Sequence, residues 1–152
     1  MSRWIGLIAL MPALAMSFLD QSVLPVALPT IQRELNTTLN ELIWAVNAYL
    51  LATAVLVLVC GKASDWIGHR RAFCVGMILF GAASLFCGLS LNGFSLIMAR
   101  VVQGLGAAFI VPSSTALLMS LFPPHERGKA TGLNVAFSSI FLILGPLIGG
   151  YL

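Results

Sequence analysis

The polar stretch GKASDWIGHRRAF, Gly61–Phe73, separates two apolar runs of about twenty residues each, and a run of that length is long enough to cross a bilayer. Lys62, Asp65, His69, Arg70 and Arg71 all fall inside this interruption. Composition extends the point to the whole chain. Only 9% of the residues are charged and 59% are hydrophobic, whereas a soluble domain carries roughly 25% charged residues. With a mean hydropathy of +1.00, the chain cannot build a water-facing surface, and the expected solvent is lipid. The net charge of +3 is not a nucleic-acid footprint. The basic residues sit in short stretches between apolar runs rather than on a solvated face.

Five membrane spans are expected, at about 4–28, 42–60, 72–90, 95–121 and 131–152, giving an all-α, polytopic helix bundle. The first fifteen residues have the outline of a secretory signal, with Arg3 ahead of an apolar run and Ala13-Leu14-Ala15 as a cleavage pattern. The apolar run continues past Ala15, so it is read as the first span. Pro12 and Pro25 interrupt that span and Asp20 lies inside it. Prolines are tolerated in membrane helices where neighbours re-satisfy the freed backbone groups. A polar segment, Thr30–Glu41, follows, and Thr38-Leu39-Asn40-Glu41 fits a capping box for the second span. Trp44 and Tyr49 are placed near the outer end of that span, where amphipathic aromatics belong. Gly61–Phe73 and FPPHERGKA, Phe122–Ala130, are read as loops, and Leu91–Phe94 as a tight turn. Cys60, Cys74 and Cys87 have no C-x-x-C spacing and are read as packing residues.

Charge asymmetry orients the bundle. Arg3, Lys62, Arg70, Arg71, Arg127 and Lys129 fall on one side and only Arg33 on the other. Because Lys and Arg are retained on the cytoplasmic side, the N-terminus and both basic loops are expected there.

Two ionisable residues lie within spans. At 1.5 Å per residue, Asp20 is roughly 13 Å and Arg100 roughly 10 Å below the outer surface. Intramembrane charges face the bundle interior and usually have a partner. Gln103 shares the helix face of Arg100. The three residues are read either as a proton or substrate site or as a structural pair locking the first span to the fourth. Gly104, Ala108 and Pro112 fall four apart on the fourth span, and Gly145 and Gly149 form a G-x-x-x-G in the fifth. Such spacing lets two helices approach closely, and Pro146 favours a kink. His69 and His125 have no ligand partners at metal-binding spacing, and no nucleophile–base pair is visible. No metal site and no enzymatic activity are expected.

Four stretches resemble one family. Leu19-Asp20-Gln21-Ser22 followed by Val26-Ala27-Leu28-Pro29 is similar to the first-helix motif of major facilitator drug:proton antiporters of the fourteen-helix branch, with Ser22 where Thr is usual. Gly61, Asp65, Gly68, Arg70 and Arg71 resemble that superfamily's loop motif, with Trp66 and His69 in place of its usual basic residues. Arg100, Gln103, Gly104 and Gly106 resemble the fourth-helix motif R-x-x-Q-G-x-G. Gly132, Gly145, Pro146, Gly149 and Gly150 resemble the fifth-helix antiporter motif, with Phe141 where that motif has Gly.

The resemblance implies proton-driven efflux of hydrophobic small molecules across the bacterial inner (plasma) membrane, with protons as the coupling ion and no other cofactor. It implies that Asp20, Arg100 and Gln103 serve proton coupling or the substrate path, and that Asp65 acts in a cytoplasmic latch with Arg70 and Arg71. Such transporters have two six-helix halves. A chain of five spans is therefore expected to be the N-terminal part of a longer protein or a truncated gene product, unable to transport without the missing C-terminal helices. Its partners are the lipid bilayer, those helices and the substrates, with no nucleic acid. The competing readings are a non-catalytic membrane assembly subunit and a major facilitator transporter of another small solute.

Overall fold

A computed structural model of the chain describes residues 3–150. Five helices follow one another: α1 (Arg3–Glu34), α2 (Leu39–Ile67), α3 (His69–Gly88), α4 (Gly93–Leu121) and α5 (Pro124–Gly149). Each contains an apolar stretch long enough to cross a membrane. The fold is an all-α, membrane-spanning bundle.

The helices run further than the apolar spans, because polarity marks the membrane border whereas backbone geometry ends a helix. α1 passes Leu28 and Pro29 and continues to Glu34. It closes where Asn36 adopts a left-handed φ of 47°, a conformation Asn tolerates better than most residues. Thr38 then caps α2 reciprocally with Glu41, as the capping box predicts.

The expected loop at Gly61–Phe73 is almost entirely helical. α2 extends through Ile67 and α3 begins at His69, so Gly68 alone forms the elbow. Its φ of 90° is strained for any residue with a Cβ. The second expected loop shrinks likewise to Phe122 and Pro123, and Pro124 starts α5, a favoured place for proline because the first helical turn leaves its N–H unbonded anyway.

α4 is the central helix: 50% of its apolar stretch is buried, against 22–28% in the others. α2 and α3 pack on its flanks, α5 packs on α1, and the two groups meet where α1 crosses α4. Small residues set these approaches. A Cβ on Gly104 would lie 2.7 Å from both the Tyr49 carbonyl oxygen and the Ala52 Cβ, so α2 and α4 touch backbone to backbone. Gly106 meets Gly76 and Phe80 of α3 in the same way.

Outside the bundle, Leu58, Ile78 and Ile143 are among many large apolar side chains left exposed. In water such a surface would aggregate; against lipid tails it is the matching solvent-facing layer. The interior carries the polar groups instead, including Arg100, Gln103, Ser113 and Asn134.

Candidate functional site

The crossing of α1 and α4 brings three side chains together. Arg100 and Gln103 lie three positions apart on α4 and so share a face. Asp20 projects from α1 opposite them. Arg100 Nη1 donates to Asp20 Oδ2 at 2.6 Å and to Gln103 Oε1 at 2.8 Å. Gln103 Nε2 donates to Asp20 Oδ1 at 2.9 Å. Each carboxylate oxygen therefore has its own donor, and the three groups close a ring of hydrogen bonds. Arg100 is 3% exposed and Gln103 is fully buried, while the Asp20 side chain keeps 19%.

Two cavities reach this ring. The larger, about 670 Å³, lies between α1, α3, α4 and α5, and α5 contributes Phe137 and Phe141 to its wall. The smaller, about 250 Å³, lies between α1, α2 and α4 beside Gln21 and Tyr49. Asp20 and Arg100 line both. The guanidinium is satisfied on its Nη1 edge, but Arg100 Nε is buried without a partner among the described residues. Chemically, the ring offers a carboxylate and a guanidinium hydrogen-bonded across two helices beside a buried amide.

Two residues join this site that the sequence did not point to. Tyr49 was expected at the outer interface; it is 4% exposed, and its ring centre lies 5.6 Å from the Arg100 guanidinium carbon. Trp44, by contrast, is exposed. Cys87, expected to be packing alone, directs its Sγ to Gln103 Oε1 at 3.5 Å. The spacing of Tyr49 and Thr53, one helical turn apart facing Gly104, is the signal that could have placed Tyr49 inward.

The other predicted residues occupy separate places. Asp65 lies in the last turn of α2, not in a loop, and its neighbour is His69, with Oδ1 3.8 Å from Nε2. Arg70 and Arg71, expected as its partners, are exposed in the first turn of α3 and reach no carboxylate within 4.0 Å among the described residues. The reason is the one-residue elbow: it turns their side chains away and leaves the residue at i+4 facing Asp65. Ser64 Oγ lies 3.0 Å from His69 Nδ1 and completes the joint. Gly61 sits over Pro112 of α4. On α5, a side chain at Gly145 would run into Ser22 of α1, and one at Gly149 would lie 2.9 Å from the Val23 carbonyl oxygen. Gly132 has open space around it. Pro146 is accommodated within the continuous α5, and Gly150 follows its end. At the end of the bundle where α1 starts, Arg3 and Glu126 pair at 3.4 Å and Trp4 meets Phe122 edge to face.

Residues 10–152 match the family model described as Major Facilitator Superfamily. Over 99% of its length the chain is 40% identical to puromycin resistance protein pur8 of Streptomyces alboniger, covering 30% of that protein. It is 38% identical over 98% of its length to the probable multidrug resistance protein EmrY of Escherichia coli, covering 29%. It is 34% identical over 97% of its length to riboflavin transporter RibZ of Clostridioides difficile, covering 32%. The chain thus spans less than a third of the length of these relatives.

Proposed function

This chain belongs to the major facilitator superfamily, whose members are transporters rather than enzymes, and on that premise we propose that it is the N-terminal part of a proton-coupled multidrug efflux transporter of the fourteen-helix antiporter branch. The observation that carries the proposal is the Asp20–Arg100–Gln103 ring: a carboxylate and a permanent cation, paired across two helices at matched depth and reached by two cavities. Resistance proteins among the relatives support the drug side of the reading.

In this reading Asp20 carries the coupling proton. While paired with Arg100 it is held ionised; when α1 and α4 separate, the buried carboxyl takes up a proton. The small residues of α4 ease that motion. Gln103 keeps the carboxylate oriented, and hydrophobic substrates enter beside the pair once the remaining helices complete the path. The basic residues at the Asp65 end support an N-terminus in the cytoplasm and a bacterial inner membrane as the setting. Gly61, Asp65, Gly68, Arg70 and Arg71 form the latch there, with His69 as the contact that Asp65 uses.

In the full-length transporter, Asp20→Asn is expected to abolish proton-driven efflux while energy-independent exchange survives. Normal pumping by the variant under a proton gradient would demote Asp20 to a structural partner of Arg100. Transport of another small solute is the second reading, favoured by the likeness to the riboflavin transporter. Transport of riboflavin but of no cationic dye would select it.

A further inference from the structure

We propose that Gln21 and Asn47 border the transport path, and that the Gln21 amide binds a neutral hydrogen-bonding group of the transported molecule. The inference rests on the transporter reading above, whichever ion drives transport. Four amides lie well inside the spans: Gln21, Asn47, Gln103 and Asn134. Gln103 and Asn134 are buried, but Gln21 on α1 and Asn47 on α2 are exposed. Counted from Pro29, the helical rise puts Gln21 roughly 12 Å below the outer surface; counted from Leu42, it puts Asn47 roughly 8 Å below. Both depths fall within the outer half of a hydrocarbon core roughly 30 Å thick. Lipid tails offer an amide no partner, so polar side chains at such depths face protein or water. Exposed positions on other faces of the bundle, such as Leu58 and Ile78, are apolar. The α1–α2 face that carries Gln21 and Asn47 is therefore not a lipid face.

The smaller cavity indicates what that face borders. Gln21, Tyr49 and Leu50 line it together with Asp20 and Arg100. Asn47 stands three positions before Leu50, on the same exposed side of α2. A further helix seated on this face would seal the charged pair on this side from the water that a coupling site must reach. A water-filled path instead solvates the amides and the pair together. Asp20 and Arg100 are already engaged with each other and with Gln103. Gln21 is not so committed. Its amide approaches the Tyr49 hydroxyl, and one such contact leaves most of an amide's two donors and two lone pairs unused. The group is uncharged and offers a donor beside an acceptor, so it fits a carbonyl, hydroxyl or arylamine rather than an ion.

The test uses the full-length transporter with Cys60, Cys74 and Cys87 replaced by Ser. Gln21→Cys, Asn47→Cys and, as the lipid-facing control, Ile78→Cys are each treated with a membrane-impermeant maleimide. The first two are expected to label about tenfold faster than the control or more, because a thiol reacts as its thiolate and apolar surroundings suppress that form. Labelling as slow as at Ile78 overturns the inference, since lipid or further helices would then cover the face. Recognition is read with two monocations: ethidium, which carries arylamine donors, and tetraphenylphosphonium, which carries none. Gln21→Leu is expected to raise KM for ethidium about 5- to 30-fold and to leave KM for tetraphenylphosphonium within about twofold. An equal change for both cations, or no change for either, overturns the recognition role. A transporter that exports neither cation refutes the multidrug reading and the recognition role with it, while the labelling still decides whether the face borders water.

Discussion

Asp20 Oδ2 and Arg100 Nη1 are 2.6 Å apart although 80 positions separate them in sequence. This contact joins the α1–α5 pair to α4 and its flanking helices across a buried, polar point. Removing one partner leaves the other charge stranded, which costs about 3–5 kcal/mol for a buried pair. Asp20→Ala and Arg100→Leu are each expected to lower stability by about 3 kcal/mol, and the double variant by clearly less than the sum. Unfolding of the purified chain in detergent, followed by circular dichroism through a double-mutant cycle, measures this. Strict additivity would show that the two side chains are not coupled.

Gly104 and Gly81 test whether close approach or mere flexibility keeps glycine in the helices. A methyl at Gly104 would sit 2.7 Å from the Tyr49 carbonyl oxygen, whereas Gly81 has nothing within 4 Å. Gly104→Ala is therefore expected to cost about 1–3 kcal/mol by overpacking. Gly81→Ala is expected to be neutral or to gain up to about 1 kcal/mol from helix propensity. Equal thermal stabilities for the two variants would contradict this packing of α2 on α4.

Asp65 faces His69 across the elbow. In the full-length transporter, Asp65→Asn is expected to cut transport several-fold while leaving drug binding intact, as a latch would. His69→Ala should reproduce part of the loss, and Arg70→Ala much less, because Arg70 touches no carboxylate among the described residues. Equilibrium binding and efflux assays on the same preparations separate the two effects. Loss of binding in Asp65→Asn would place this residue in the substrate path instead.

Reporter fusions address orientation. Fusions after Arg71 and after Lys129 are expected to report cytoplasm, and a fusion after Asn36 the outside. The basis is six basic residues against one on the two faces. An external signal after Arg71 would reverse the bundle and remove the cytoplasmic latch.

Much of this architecture was legible in the sequence because lipid leaves few choices. A backbone with no water to bond must satisfy itself within the segment, so each apolar run had to be a helix. That Asp20 and Arg100 could meet followed from the fixed rise per residue and from the cost of leaving either ion alone. Helix ends were less readable. Hydropathy reports where the membrane stops, but Gly68 and Asn36, through positive φ, decide where the helices do. Partner choice at the elbow belonged to the same blind spot: composition offered Asp65 two arginines, and the one-residue turn selected His69. The inward position of Tyr49 was hidden for a different reason. A tyrosine near a span's end suits both the interface and the core, and only the seating of α2 on Gly104, which draws residue 49 beneath Arg100, resolves which. What sequence determined is the set of helices and the charges that must be buried; the rotation of each helix about its axis, fixed by backbone contact at small residues, decided which groups meet.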